Sequence, residues 1–250
     1  MTIFQTYYDR IYAEKDYAAE AATVLQVMRE ASPRLVARVL DVGCGTGSHA
    51  VQMAAAGVAT VGIDIDGASI QIAKSKTTEP STALRFVAGS LHDLPDSDFD
   101  GAVSLFNVVN YLMSTEDLIG FLAAIQQRVS KGAPFVFDCW NGLAAILDPP
   151  RTKISTVVRG EETIRAETTP EIDLMGQTVI LRTKIEISVG GQIREQFDHD
   201  IAHRLWLPRD LSDCLHMAGF DVLKTTAWMK PDVAAGPETW KMLFVCRRKN

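Results

Sequence analysis

The sequence predicts an α/β fold: a doubly wound, mostly parallel seven-stranded sheet with an antiparallel β insertion after the fifth strand. Three observations predict it. Short apolar runs alternate with helix-period stretches as far as Pro149-Pro150. Helical periodicity then vanishes from Ile154 to Leu207, where strand-like runs and a Gly190-Gly191 hairpin signal take over. The alternation resumes at Pro208. Continuously apolar strands between helices mean a parallel sheet covered on both faces.

The elements follow in order. Val39 to Val42 is a strand that ends at glycines, and the alanine-rich stretch Ser48 to Ala56 is a helix. Val58 to Ile63 is the second strand and Ala68 to Lys74 the second helix. Leu84 to Ala88 and Ala102 to Phe106 are the third and fourth strands. Ser114 and Asp117 stand as a capping box before Leu118, Leu122, Ile125 and Val129 at helical spacing, and Lys131-Gly132 supplies the stop. Pro134 to Asp138 is the fifth strand. In the insertion, Val179 to Leu181 with Ile185, Ile187 and Val189 pairs through the glycine turn with Ile193 to Trp206. Pro208 opens a last helix that Gly219 ends. Phe220 to Val222 and Met242 to Cys246 are the last two strands. The expected organisation is one domain over 1–250, with a helical lid at 1–31 and the antiparallel insertion at 142–207.

Composition narrows the function. A chain of 250 residues can bury about three-quarters of its unfolded surface, so its core needs no staples. Apolar residues at 47% and charged residues at 22% exclude disordered and coiled-coil classes. No apolar run reaches a membrane-spanning length, and the start lacks a basic segment followed by an apolar one, so neither membrane span nor signal peptide is expected. Cys44, Cys139, Cys214 and Cys246 are scattered, which reads as reduced thiols in a cytoplasm. No metal site is expected. A net charge of −6 without a basic block argues against nucleic-acid binding.

The most specific stretch is Asp41-Val42-Gly43-Cys44-Gly45-Thr46-Gly47-Ser48, between a strand and a helix. Glycines let the backbone approach a ligand, and the helix behind offers free N–H groups and a positive dipole end. Asp64 ends the second strand, 21 positions after Gly43, where a carboxylate can meet ribose hydroxyls. The glycine spacing is wrong for a pyrophosphate loop, which disfavours a nicotinamide dehydrogenase.

This loop resembles motif I of the class I S-adenosylmethionine (SAM)-dependent methyltransferases, a Rossmann-like family, and Gly62-Ile63-Asp64-Ile65-Asp66 resembles their second motif. The resemblance implies SAM as cofactor and S-adenosylhomocysteine as its product. It implies a loop of Asp41, Gly43, Cys44, Gly45 and Gly47 around the methionine end, Asp64 on the ribose and Ile65 on the adenine. Ser90, Leu91 and Leu105 complete the implied pocket; Ser90 stands where the family often has Asp. The leader Tyr8-Asp9-Arg10-Ile11-Tyr12 to Ala21 resembles that of bacterial sugar-amine N-methyltransferases, where it folds over the cofactor. This implies that Tyr12 approaches the methionine end, with Tyr8 and Lys15 as further candidates; Tyr8, Ile11 and Tyr12 are equally the apolar face of a first helix.

Ligands in such a fold sit outside the carboxyl ends of the strands. That places Phe106, Asn110, Tyr111, Trp140, Asn141 and Arg204 at the expected acceptor site. His199, His203 and Tyr111 are the candidates for moving a proton. On a strand the two histidines point to one face; His49 is expected to pack. The expected reaction methylates a small molecule, foremost the amino group of a sugar or nucleotide-sugar. O-methylation of a saccharide, or SAM binding without catalysis, are the alternatives. For an anionic substrate, Arg151, Lys153, Arg204 and Lys241 would have to supply positive charge.

Overall fold

A computed structural model describes residues 3–77 and 83–250. Two helices, α1 (Ile3–Ile11) and α2 (Tyr17–Ala31), precede the alternating region. This comprises β1 (Arg38–Val42), α3 (Ser48–Ala55), β2 (Ala59–Asp64), α4 (Gly67–Ser75), β3 (Leu84–Ala88), β4 (Gly101–Ser104), α5 (Thr115–Arg128) and β5 (Pro134–Trp140). Two 3₁₀ turns, Leu91–Asp93 and Val108–Tyr111, follow β3 and β4. Then come α6 (Gly142–Leu147), β6 (Lys153–Arg159), β7 (Glu162–Asp173), β8 (Thr178–Val189) and β9 (Gln192–Arg204). The chain ends with α7 (Pro208–Met217), β10 (Phe220–Ala227), β11 (Lys230–Ala234) and β12 (Lys241–Arg248).

The main sheet runs β11-β10-β12-β5-β4-β1-β2-β3. β1 to β5 are parallel, whereas β12 is antiparallel to β5 and to β10. Side chains alternate between its two faces. Phe135 and Phe137 of β5, with Met242 and Phe244 of β12, pack under Leu118, Leu122 and Ile125 of α5 and Leu211 and Leu215 of α7. Val136, Leu243 and Val245 face the other way, against Val24, Leu25 and Met28 of α2. Each fully buried side chain of this kind gains roughly 1.5–3 kcal/mol over its exposed state.

The sheet has eight strands, one more than expected. The addition is β11, in which Pro231 and exposed residues break any apolar alternation. It lies at the sheet edge and pairs only Thr226 with Ala234 and Ala227 with Lys230. An edge is where proline is tolerated within a sheet. Sequence periodicity also did not show α6, which occupies the start of the 142–207 stretch. Its six residues are too short to display a period, and Asn141 caps it by accepting the Leu143 N–H. Ser114 caps α5 as expected, its Oγ accepting the Asp117 N–H at 3.0 Å.

The antiparallel insertion is a four-stranded sheet, β6-β7-β8-β9. Gly190 and Gly191 both take positive φ in the β8–β9 turn. Pro170 sits on β7 beyond the reach of β6, whose pairing stops at Thr168. One face carries Ile164, Ala166, Ile185 and Ile187 and is covered by Phe4, Tyr7 and Ile11 of α1. The opposite side of α1 is tied to the main sheet. Asp9 accepts from Thr46 Oγ1 at 2.7 Å and pairs with Lys76, and Gln5 Nε2 donates to Asp66. α1 is thus a strap between the two sheets.

Candidate functional site

A cavity of about 800 Å³ opens beyond the carboxyl ends of β1, β2 and β4. Asp41 and Val42, Ile63 and Asp64, and Leu105 bring those strand ends to its wall. Phe4, Gln5 and Tyr8 of α1 close one side, and His199 to Ala202 of β9 another.

The glycine loop forms because two of its N–H groups, those of Gly43 and Cys44, donate to the Ile63 carbonyl at 2.8 and 3.1 Å. Its three glycines all have positive φ, yet their surroundings differ. A Cβ on Gly43 would lie 2.7 Å from Val108, and one on Gly47 would lie 2.5 Å from Phe86. A Cβ on Gly45 would meet nothing within 4 Å. Gly45 therefore lines open space, whereas Gly47 caps α3 and packs inward, off the cavity wall.

Two carboxylates share this end. Asp64 Oδ2 accepts the Gly45 N–H at 2.7 Å, and Oδ1 accepts the Asp66 N–H at 2.8 Å. Burial raises its pKa despite those bonds. Asp41 is 2% exposed, and its Oδ2 has no hydrogen-bond partner. Burial, and then the charge of Asp64, push it up to about 7. Beside them His49 lines the cavity, with Nε2 2.7 Å from Glu20, which also binds Lys15. Burial, then Lys15, lower His49 to about 3, so its ring is neutral. His49, expected to pack, and Tyr17, which no motif marks, both reach the wall. The sequence lacks any local sign of the long-range Glu20–His49 pairing.

After β4, Phe106 and Asn107 both adopt left-handed φ, 72° and 64°. Each such non-glycine residue stores about 1–3 kcal/mol of strain. Asp138, fully buried at the end of β5, holds the pair: Oδ1 accepts the Phe106 N–H at 2.5 Å and Oδ2 the Asn107 N–H at 3.1 Å. Lys241 Nζ balances its charge at 2.7 Å. The Phe106 ring, thus aimed, lines the cavity with Lys15 and Lys241 at 5.0 and 5.5 Å from its centroid. Tyr8 reaches the wall too, while Tyr12 packs on the Tyr8 and Phe106 rings and does not.

His199 and His203 share one strand face but not one setting. His199 lines the cavity and stacks on Phe4, ring centroids 3.5 Å apart. Burial lowers its pKa, so it is neutral at pH 7. His203 lies outside the wall, packed edge-on against Tyr111 and Trp140, and burial lowers it to about 4. Tyr111 is half-exposed and lines the cavity.

Of the residues expected at the acceptor, Asn110, Trp140, Asn141 and Arg204 do not reach the wall. Several of their polar groups are engaged within the fold. Asn110 accepts the Trp140 N–H and donates to the Arg204 carbonyl, stitching the second 3₁₀ turn to β5 and β9. Asn141 caps α6, and Arg204 donates to the Gly176 carbonyl and to Gln177. The Trp140 ring packs edge-on against Trp240. Ile65, Ser90, Leu91 and Cys44 do line the cavity; Ile65 is 85% exposed, and Ser90 Oγ caps the first 3₁₀ turn. Among the described residues no three His, Cys, Asp or Glu side chains gather into a metal-holding group, and no helix is long and apolar enough to cross a membrane.

Comparison with known proteins agrees with this architecture. Residues 39–132 match the family model described as methyltransferase domain. The chain is 30% identical over 136 residues to the dTDP-3-amino-3,4,6-trideoxy-alpha-D-glucopyranose N,N-dimethyltransferase of Streptomyces venezuelae, covering 53% of this chain and 55% of that one. It spans about half the length of the curated relatives it matches. Among solved structures, an S-adenosylmethionine-dependent methyltransferase from Clostridium acetobutylicum superposes with a TM-score of 0.81 at 16% identity, over 98% of this chain and 97% of that one. The sugar N-methyltransferase KedS8 from Streptoalloteichus sp superposes with a TM-score of 0.81 at 23% identity, over 100% and 94%. Residues 39–132 thus match a methyltransferase domain, and the chain as a whole shares the fold of a solved SAM-dependent methyltransferase.

Proposed function

We propose that the protein transfers a methyl group from SAM to an amino group of a small, sugar-like acceptor. The observation that carries this reading is the unpartnered, buried Asp41 Oδ2 at the wall of the cavity. A buried acceptor without a partner is expensive unless a donor arrives, and the ammonium of SAM is such a donor. The other residues present fit the same molecule. Gly45 leaves room for close approach, Asp64 can take ribose hydroxyls, and the exposed Ile65 can cover the adenine beside Ser90 and Leu91. When bound, SAM supplies an electrophilic methyl on a sulfonium.

The chain's own residues supply position and a place for a proton. Holding two reactants in line can remove several kcal/mol of barrier. Phe106, Tyr111, Phe4 and His199 enclose the remaining end of the cavity. An amine must arrive neutral, and the neutral ring of His199 is available to accept its proton. A hydroxyl needs a stronger base than a histidine whose pKa burial has lowered, so nitrogen is the better acceptor. The similarity to the aminosugar N,N-dimethyltransferase of Streptomyces venezuelae supports the same class. Four free cysteines fit a reducing compartment, and the reading extends to a cytoplasmic location.

Calorimetry with SAM and S-adenosylhomocysteine tests the first part; heat from neither sinks it. Asp64→Ala is expected to weaken SAM by more than about tenfold. A panel of aminosugars and their hydroxyl counterparts, read by S-adenosylhomocysteine release, tests the second. Turnover of hydroxyl acceptors alone would replace nitrogen by oxygen, and SAM binding without any turnover would leave a binding protein.

A further inference from the structure

We infer that the acceptor enters this cavity free of phosphate, as an amine not linked to a nucleotide. The inference rests on the methyl-transfer reading above and names its substrate more narrowly. Every Lys and Arg of the chain lies among the described residues, and none lines the cavity. Its ionisable carboxyl groups are those of Asp41, Asp64, Asp66 and Asp200, the last of them paired with Arg182 at 2.6 Å. The nearest cations are engaged elsewhere. Lys15 is held by Glu20, Lys241 by Asp138, Lys76 by Asp9, and Arg10 by Glu162 at 2.9 Å. Arg151, Lys153 and Arg204 lie off the cavity wall as well: Arg204 donates to the Gly176 carbonyl and to Gln177, and Arg151 pairs with Asp148.

What the acceptor end does offer is rings. Phe4, Tyr8, Phe106 and Tyr111 present aromatic surface, and His199 stacks on Phe4 as a neutral imidazole. Aromatic faces attract cations and apolar C–H surface and disfavour oxyanions. A diphosphate calls for Arg, Lys or unspent N–H groups, and like charges facing each other count heavily against a partner. The inference parts this chain from the relative named for a dTDP-linked sugar.

The test uses the full chain, saturating SAM, and one aminodeoxyhexose offered both as its methyl glycoside and as its thymidine-diphosphate ester. The expected result is kcat/KM at least about tenfold higher for the glycoside, nearly indifferent to added salt. A tenfold preference for the diphosphate ester, with KM rising steeply with salt, overturns the inference. Titration of the S-adenosylhomocysteine complex with thymidine diphosphate alone decides the charge question even without turnover. Absence of heat supports phosphate exclusion, and micromolar binding overturns it. Failure of both sugars to be methylated, by contrast, sinks the amine reading and leaves that titration standing. Met113→Arg, which places a cation at the cavity wall, is expected to create thymidine-diphosphate binding where the parent shows none. An equal affinity in parent and variant overturns the inference.

Discussion

The two ends of the cavity are built by different means. The glycine-loop end is made of backbone: one short segment, its bonds to the Ile63 carbonyl, and Asp64 accepting from Gly45 and Asp66. The acceptor end is made of side chains from distant parts of the chain, with Phe4 stacked on His199 and Phe106 braced by Asp138. A backbone site is specified by local residues. A side-chain site is specified only once the whole fold has brought its parts together.

Breaking the acceptor end at its brace should have the largest effect. Asp138→Ala would leave Lys241 without its counter-ion and two N–H groups without an acceptor. Removing one member of a buried pair costs about 3–5 kcal/mol, visible as a lower melting temperature. Asp138→Asn preserves the shape but cannot accept both N–H groups equally well. Methyl transfer is expected to fall about tenfold or more, with SAM affinity unchanged within about threefold. If SAM affinity falls in parallel, the two ends do not function separately.

That contrast also explains what could be read from residues alone. The parallel strands, the glycine loop and Asp64 were legible because each is a pattern over a few residues with a physical reason for its spacing. The resemblance implies Tyr12 and Tyr8, and Gly45 and Gly47, alike; of these only Tyr8 and Gly45 line the wall. One turn of a helix, or the packing of Phe86, decides such matters, and neither leaves a trace in the motif. Asn110, Asn141 and Arg204 were chosen for polar chemistry that the fold consumes in its own stitching. The Asp138 brace was hidden because its partners are backbone N–H groups of residues that adopt left-handed φ despite having side chains.

Within the loop, two glycines can be set against each other. Gly47→Ala combines a left-handed conformation with overlap on Phe86, and is expected to cost roughly 2–4 kcal/mol of stability. Gly45→Ala meets no atom and should cost only about 1 kcal/mol. Its methyl points into open space, so its main effect is expected on SAM affinity. Paired melting and calorimetry check this; equal stability losses would show that conformation alone, not packing, sets the glycine requirement.

The charge at the same end gives a pH test. Asp41 keeps its proton up to about 7, whereas an unfolded aspartate loses it near its ordinary, much lower value. This group therefore stabilises the ligand-free fold below that ordinary value, and the contribution is lost as pH rises through about 7. Binding an ammonium needs the carboxylate, so SAM affinity should run the opposite way. It is expected to increase up to roughly tenfold per pH unit as pH rises towards 7, then level off. Asp41→Asn should flatten both dependences. A slope that survives in the variant belongs to another group, and Asp41 then does not meet the ligand.

Ile65→Ala should have the smallest effect and separate folding from binding most cleanly. Ile65 is 85% exposed, so the ligand-free protein has little burial to lose there. Its stability should change by no more than about 0.5 kcal/mol. If the adenine covers this side chain, truncation removes apolar contact that forms only in the complex, worth about 1 kcal/mol, or about fivefold in SAM affinity. An unchanged affinity would move the adenine elsewhere, and a lowered melting temperature would mean that Ile65 supports the fold after all. The backbone end of the cavity thus keeps one side chain out of the core, with apolar surface that only a ligand can bury.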